Sequence, residues 1–166
     1  TIQFPGPYEY RVFRSPGFFG STFTTSPIGI LGDLNDTIFI DTLIDTRSQP
    51  WSYRIDLYYT NNGVLTYKGQ TAVASTIYLS IAPTDNRLIL SWEEHVPWNN
   101  FLYVVYRQNV SLQFDSIAAV LGQTFIDTGL VNGNQYCYYI RSSGSYAFSG
   151  FVDPIINRSQ QQCAVP

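Results

Sequence analysis

The residues of this chain that could carry out chemistry are few, and their spacing forms no catalytic or metal-binding motif. His95 is the only histidine, and Cys137 and Cys163 are the only cysteines. No serine lies in the G-x-S-x-G nucleophile motif of hydrolases. Two cysteines and one distant histidine do not make a zinc ligand set. We interpret His95 as a loop residue and predict no enzymatic activity, no metal and no cofactor.

The acidic pairs also lack a catalytic arrangement. Glu93 and Glu94 are adjacent, so on a β-strand they point to opposite faces. The two carboxylates of a glycosidase must instead converge on one bond. Asp33, Asn35 and Asp36 could contact a calcium ion, but their spacing does not match a calcium-binding loop. We interpret these three as solvated turn residues.

The composition favours an all-β protein. Of the 166 residues, 45% are hydrophobic, 16% are aromatic and only 13% are charged. Tyr, Phe, Thr, Ile and Val suit the pleated, half-buried surface of a sheet. The net charge is −3 and the arginines are dispersed, so the basic stripe needed for nucleic-acid binding is missing. No apolar run reaches the roughly 18–20 residues of a membrane span.

Three stretches recur in the same order along the chain, at offsets of 93, 86 and 85 residues. The pairs are Tyr10–Arg14 with Tyr103–Arg107, Phe39–Leu43 with Phe125–Leu130, and Tyr53–Ile55 with Tyr138–Ile140. A repeat of this length indicates two copies of one domain. We place them at residues 1–74 and 75–166.

The second copy contains a stretch, residues 75–100, that the first copy lacks. Its alternating apolar residues predict two strands, the second of which carries Leu88, Leu90 and Trp92 on one face. We expect the counterparts of these strands to lie upstream of Thr1, in a longer protein. The first domain would then comprise only strands C onward, and alone it would expose strand edges and an open core.

The segment from Leu130 to Tyr136 identifies the fold. A leucine, a glycine-containing turn and a tyrosine at the start of strand F are typical of a tyrosine corner. With Trp92 on strand B and Y-V-V-Y-R at 103–107 on strand C, this order resembles the fibronectin type III family. In the first copy, Trp51 or Tyr53 takes the place of the corner tyrosine. The predicted fold class is all-β, with two consecutive fibronectin type III/Ig-like Greek-key β-sandwiches, the first truncated at its N-terminus.

The two cysteines are candidates for a disulfide. If residues 136–142 and 155–163 form an F–G hairpin centred near Gly150, Cys137 and Cys163 lie opposite each other, close enough to be bridged. An oxidising export route would permit the bond. The alternative is a pair of reduced thiols packed inside the sandwich.

A narrower resemblance is carried by the sequence segments VPWNN…YVVYR…FIDTGLVNGNQYCYYIRSSGSY…INRSQQQCAVP. It is similar to the fibronectin-like repeats that precede the C-terminal sorting domain of Bacteroidetes gliding-motility-associated, type IX secreted surface proteins, such as SprB-like giant adhesins. This resemblance implies a non-catalytic extracellular segment at the cell surface, which spaces the adhesive part from the type IX secretion signal. The implied partners are the type IX translocon and neighbouring repeats.

Two rival functions remain open. Tyr139, Tyr146 and Phe148 could form a stacking surface for a glycan or a protein, or they could complete the core and its flanks. Alternatively, the chain is an accessory domain of a secreted hydrolase.

Three D-[S/T]-apolar triplets match the O-glycosylation pattern of secreted Bacteroidetes proteins, with acceptors Thr37, Thr42 and Ser116. Such triplets are also common at turns and strand ends.

Overall fold

The computed structural model describes residues 6–33 and 35–166, and all regular structure in these residues is β-strand. None of the described residues belongs to a helix that could cross a membrane. The chain divides into two compact units. The first comprises the described residues up to Asp45 together with Trp51–Ser75, and the second comprises Thr46–Pro50 and Thr76–Pro166.

The second unit is a sandwich of two antiparallel sheets. Its strands are β6 (Tyr78–Thr84), β7 (Arg87–Glu93), β8 (Asn99–Gln108), β9 (Phe114–Val120), β10 (Thr124–Thr128), β11 (Tyr136–Ser145), β12 (Ile155–Arg158) and β13 (Gln162–Ala164). One sheet has the order β10-β7-β6, and the other has the order β12-β11-β8-β9, with β13 also paired to β11. This is the A-B-E and C′-C-F-G arrangement of a fibronectin type III-like Greek-key sandwich.

The core of the second unit follows from the period of two in its strands. On β7, Leu88, Leu90 and Trp92 are buried while the residues between them are exposed or half-buried. They pack against the facing sheet, whose buried residues include Val105 and Ile140. Alternation of this kind places one face of each strand in the core and the other in water.

The first unit contains a single sheet within its described residues. Its strands are β1 (Tyr8–Pro16), β2 (Gly29–Leu31), β3 (Trp51–Asn61), β4 (Val64–Gln70) and β5 (Ala74–Ser75). The strand order is β2-β1-β3-β4, with β5 also paired to β3. This order matches β9-β8-β11-β12 with β13 on β11 in the second unit. The first unit therefore has the layout of a C′-C-F-G sheet.

Two differences separate the described part of the first unit from the second unit. Residues 38–42, which align with β10, belong to no strand. A strand needs a neighbour to complete its hydrogen bonds, and β10 finds that neighbour in β7. The described part of the first unit contains no strand equivalent to β7.

A disulfide joins Cys137 and Cys163, which are directly opposed on β11 and β13 and 26 residues apart in sequence. The expected disulfide is thus present, and the strands of the F–G hairpin pair as the sequence predicts. In the first unit the corresponding pair is Ser52 and Ser75, opposed on β3 and β5 and both buried.

Removing the disulfide will destabilise the second unit. We expect Cys137→Ala with Cys163→Ala to lower the free energy of unfolding by about 2–4 kcal/mol, because the bond restricts the unfolded chain. Urea unfolding followed by tryptophan fluorescence measures this loss. Wild-type protein in reductant should match the double variant, and Ser116→Ala, an exposed change on β9, should stay within about 0.5 kcal/mol of wild type. Equal stability of the oxidised, reduced and double-alanine proteins would contradict the assignment.

Candidate functional site

A buried carboxylate connects the two sheets of the second unit. Asp127, on β10, accepts hydrogen bonds from Arg107 Nη1 at 2.8 Å and from the Tyr138 hydroxyl at 2.7 Å. Arg107 lies on β8 and Tyr138 on β11, both in the opposite sheet. Tyr138 is fully buried and Asp127 nearly so. We call this arrangement the Arg–Asp–Tyr network.

The network holds Tyr138 in its neutral form. Burial first, and then the hydrogen bond to Asp127, raise the pKa of the Tyr138 hydroxyl well above its ordinary value. The hydroxyl therefore remains a donor at any physiological pH. A tyrosine held in this way fixes the orientation of the carboxylate and does not exchange protons with a substrate.

The first unit contains the same network. Arg14 Nη1 donates to Asp41 at 2.7 Å, and the Tyr53 hydroxyl donates to the same carboxylate at 3.2 Å. These residues are the counterparts of Arg107, Asp127 and Tyr138 in the three repeated stretches. Burial and the charge of Asp41 raise the pKa of Tyr53. The repeat detected in the sequence therefore preserves a polar network in addition to the strand pattern.

The corner residues next to each network are also equivalent. The Tyr136 hydroxyl accepts a hydrogen bond from the Val131 amide at 3.0 Å, which is the geometry of a tyrosine corner. In the first unit, Trp51 occupies the equivalent position, and its indole N–H donates to the Asp45 carbonyl at 3.0 Å. Of the two sequence candidates for the corner, Trp51 thus fills it, while Tyr53 belongs to the network.

An arginine lies over each corner ring. The Arg14 guanidinium carbon is 4.8 Å from the Trp51 ring centre, and that of Arg107 is 6.0 Å from the ring centre of Tyr136. Stacking of a guanidinium on an aromatic face adds to the orientation of the arginine. In each unit, the arginine therefore connects the corner ring to the buried carboxylate.

Glu94 is held by structural partners. Its carboxylate accepts hydrogen bonds from the Asn100 amide, from the Tyr103 hydroxyl at 2.7 Å and from the Asn157 amide at 3.3 Å. Burial, followed by the bond to Glu94, raises the pKa of Tyr103 to about 12. The adjacent Glu93 is exposed. The two glutamates do not converge on a common cleft.

The candidate binding aromatics fall into two separate groups. Tyr139 stacks on Tyr106 with 4.5 Å between ring centres, and Phe114 meets its ring edge-on at 5.0 Å. The Arg158 guanidinium lies over the ring of Tyr139 at 4.8 Å. Because Tyr106 and Arg158 belong to the strands on either side of β11, protein groups cover both faces of this ring.

The second aromatic group lies beyond the C-terminal end of β11. Tyr146 contacts Trp98 at 5.9 Å and Phe151 at 5.0 Å between ring centres. Phe148, in the same connection, is 74% exposed. Of the three residues named from sequence, Phe148 is thus the most open to solvent, while Tyr139 and Tyr146 are half-buried.

The remaining sequence candidates are surface residues. Thr37, Thr42 and Ser116 are all exposed, so their hydroxyls are accessible to a modifying enzyme. His95 is exposed as well. Within residues 6–33 and 35–166, no three histidine, cysteine, aspartate or glutamate side chains are grouped so that they could hold a metal ion.

Both networks were missed at the level of sequence, although a signal for them was present. Each of the three repeated stretches supplies one member, namely an arginine, an aspartate and a tyrosine. Ionisable residues that recur at matching positions of two mostly apolar repeats indicate a shared polar contact. The role of Glu94 had no such signal, because Glu94 lies in residues 75–100, the stretch that the first copy lacks.

Comparison with known proteins identifies no family for this chain. No protein-family model matches it, and no curated protein is similar to it. Among solved structures, it is similar to the chicken interferon gamma receptor alpha chain, with 11% sequence identity and a TM-score of 0.40. That similarity covers 99% of this chain and 88% of the receptor chain.

Removing the carboxylate of Asp127 will destabilise the second unit. We expect Asp127→Ala to cost about 2–3 kcal/mol, because the buried Tyr138 hydroxyl loses its acceptor. Arg107 is about one-third exposed, so water compensates for part of its lost charge contact. Urea unfolding gives the loss, with Asp115→Ala, an exposed aspartate on β9, as the matched control. If Asp127→Ala were no more destabilising than Asp115→Ala, the network would not contribute to stability.

Proposed function

We propose that the chain is a non-catalytic structural segment of a large secreted cell-surface adhesin linked to gliding motility. In this proposal it spaces the adhesive part of the protein from a C-terminal type IX secretion signal. The export route and the gliding adhesin are inferred from the sequence resemblance alone. The non-catalytic role is supported by the geometry of the acidic residues.

The observation that carries the non-catalytic role is that the enclosed carboxylates are occupied by structural donors. Glu94 accepts three side-chain hydrogen bonds, and Asp127 accepts two from the facing sheet. Asp41 is held by Arg14 and Tyr53. A general acid or base must instead present its oxygen to a substrate.

An extracellular location is supported by the disulfide between Cys137 and Cys163. Disulfides persist in oxidising compartments and outside the cell. The sandwich, its disulfide and its inter-sheet network would suit a segment that must stay folded outside the cell. The exposed Thr37, Thr42 and Ser116 would be accessible to O-glycosylation during export.

Surface accessibility in the source cells tests the proposed location. We expect an antibody against this chain to detect a protein that protease removes from intact cells. In a strain without a functional type IX translocon, the same protein should remain inside and be protected. A periplasmic protein that resists the protease in both strains is the control. Protection in wild-type cells, or surface exposure without the translocon, would contradict the proposal.

The second candidate function is a carbohydrate- or protein-binding module. It is favoured by the exposed ring of Phe148 beside the cluster of Trp98, Tyr146 and Phe151. Aromatic surfaces that combine rigid area with a polar edge are common at recognition sites.

A glycan array separates a spacer from a binding module. For a spacer, we expect wild type, Tyr146→Ala and Phe148→Ala to give equal background signals, because none of the rings contacts a ligand. The matched control is Phe101→Ala, which removes a half-exposed ring from β8. A glycan bound by wild type and by the Phe101 variant, but at least tenfold more weakly by the Phe148 variant, would favour the binding module.

A further inference from the structure

The inner face of the first unit's sheet forms an apolar groove of about 690 Å³. Its lining includes Tyr10, Val12, Leu31, Phe39, Tyr53 and Ile55. Ile40, which also lines the groove, and the nearby Ile38 are each 74% exposed. Contiguous apolar surface of this kind marks a site where another element binds.

The second unit shows what covers the equivalent face. Val12 and Ile55 correspond to Val105 and Ile140, which are completely buried beneath β6 and β7. Val12 is buried in the first unit as well, so the two units differ at Ile55. Ile55 is 38% exposed, whereas Ile140 is 0% exposed. The difference arises because Leu88, Leu90 and Trp92 cover the core face of the second unit, and no strand of the described first unit does the same.

The segment beside the groove aligns with a strand that has a ladder partner in the second unit. In the second unit, residues 124–128 pair with residues 87–91 of β7, so that Phe125 faces Leu90 and Asp127 faces Leu88. The equivalent residues 38–42 belong to no strand, yet Arg14 and Tyr53 hold Asp41 against the sheet. Addition of a strand to such an edge combines main-chain hydrogen bonds with pockets for alternate side chains.

We propose that this groove is the docking site for a β-hairpin of the β6–β7 type, carried by the same polypeptide directly before β1. We infer this position of the hairpin from the second unit, in which β6 and β7 directly precede β8, the counterpart of β1. The second strand of the hairpin pairs antiparallel with residues 38–42, and its alternate apolar side chains fill the groove and cover Ile55. The inference is independent of whether the chain acts as a spacer or as a binding module.

The full chain can supply its own probe. In the test protein, a copy of residues 76–93 is fused directly before Thr1. The two copies are offset by 93 residues, so residues 1–5 have the same length as residues 94–98, which connect β7 to β8. Hydrogen exchange is then measured for the fusion and for wild type. We expect the amides of residues 38–42, β1 and β3 to exchange at least tenfold more slowly in the fusion, independently of protein concentration.

The matched control carries Leu88→Ser and Leu90→Ser in the added copy only, and it should exchange like wild type. Amides of β8 and β11 report whether the second unit stays folded in each protein. Unchanged exchange at residues 38–42, β1 and β3, with the second unit intact, would overturn the docking site. Protection that grows with protein concentration would overturn the same-polypeptide source, since it requires a hairpin from another molecule.

Discussion

The constraint on which the structure depends is the attachment of β10, which is strand E of the sandwich, to the opposite sheet through one buried carboxylate. Asp127 extends from β10 to Arg107 and Tyr138 across the sandwich. A buried charge is tolerated only when donors surround it, so the three residues must lie at fixed positions relative to one another. The network therefore specifies the register of three strands as well as adding stability. In the first unit the same contacts hold Asp41 in place, although its segment has no ladder partner.

This use of polar residues bears directly on function. The enclosed acidic groups orient strands and loops, and the enclosed tyrosines have pKa values above the range in which they would transfer protons. The aromatic residues divide in the same way, since Tyr139 is covered by Tyr106 and Arg158 while Phe148 projects into solvent. These enclosed acidic groups and tyrosines are consistent with a role as a spacer or as a binding module. In a binding module the exposed rings contact a ligand, and in a spacer they do not.

Much of the fold could be predicted from the sequence because its signals are local. Alternation in Leu88–Trp92, the turn before Tyr136 and the spacing of the cysteines each depend on neighbouring residues or on one hairpin. The inter-sheet network left a signal in the arginine, aspartate and tyrosine that recur in both copies, although the recurrence does not say which side chains meet. The partners of Glu94 left none, because Asn100, Tyr103 and Asn157 come together around it only when the sheets have formed. The choice between Trp51 and Tyr53 at the first corner also needed the structure, since both are large aromatics two residues apart on β3.

The central claim is that the first unit repeats the C′-C-F-G sheet of the second, and the serine pair opposite the disulfide position tests it most directly. Ser52 and Ser75 are paired on β3 and β5, as Cys137 and Cys163 are on β11 and β13. The measurement is the thiol count and intact mass of a Ser52→Cys, Ser75→Cys double variant after mild oxidation. The account predicts no free thiol and a second intramolecular disulfide that peptide mapping places between positions 52 and 75. Two free thiols in the folded protein, or cross-linking to the native cysteines, would contradict it.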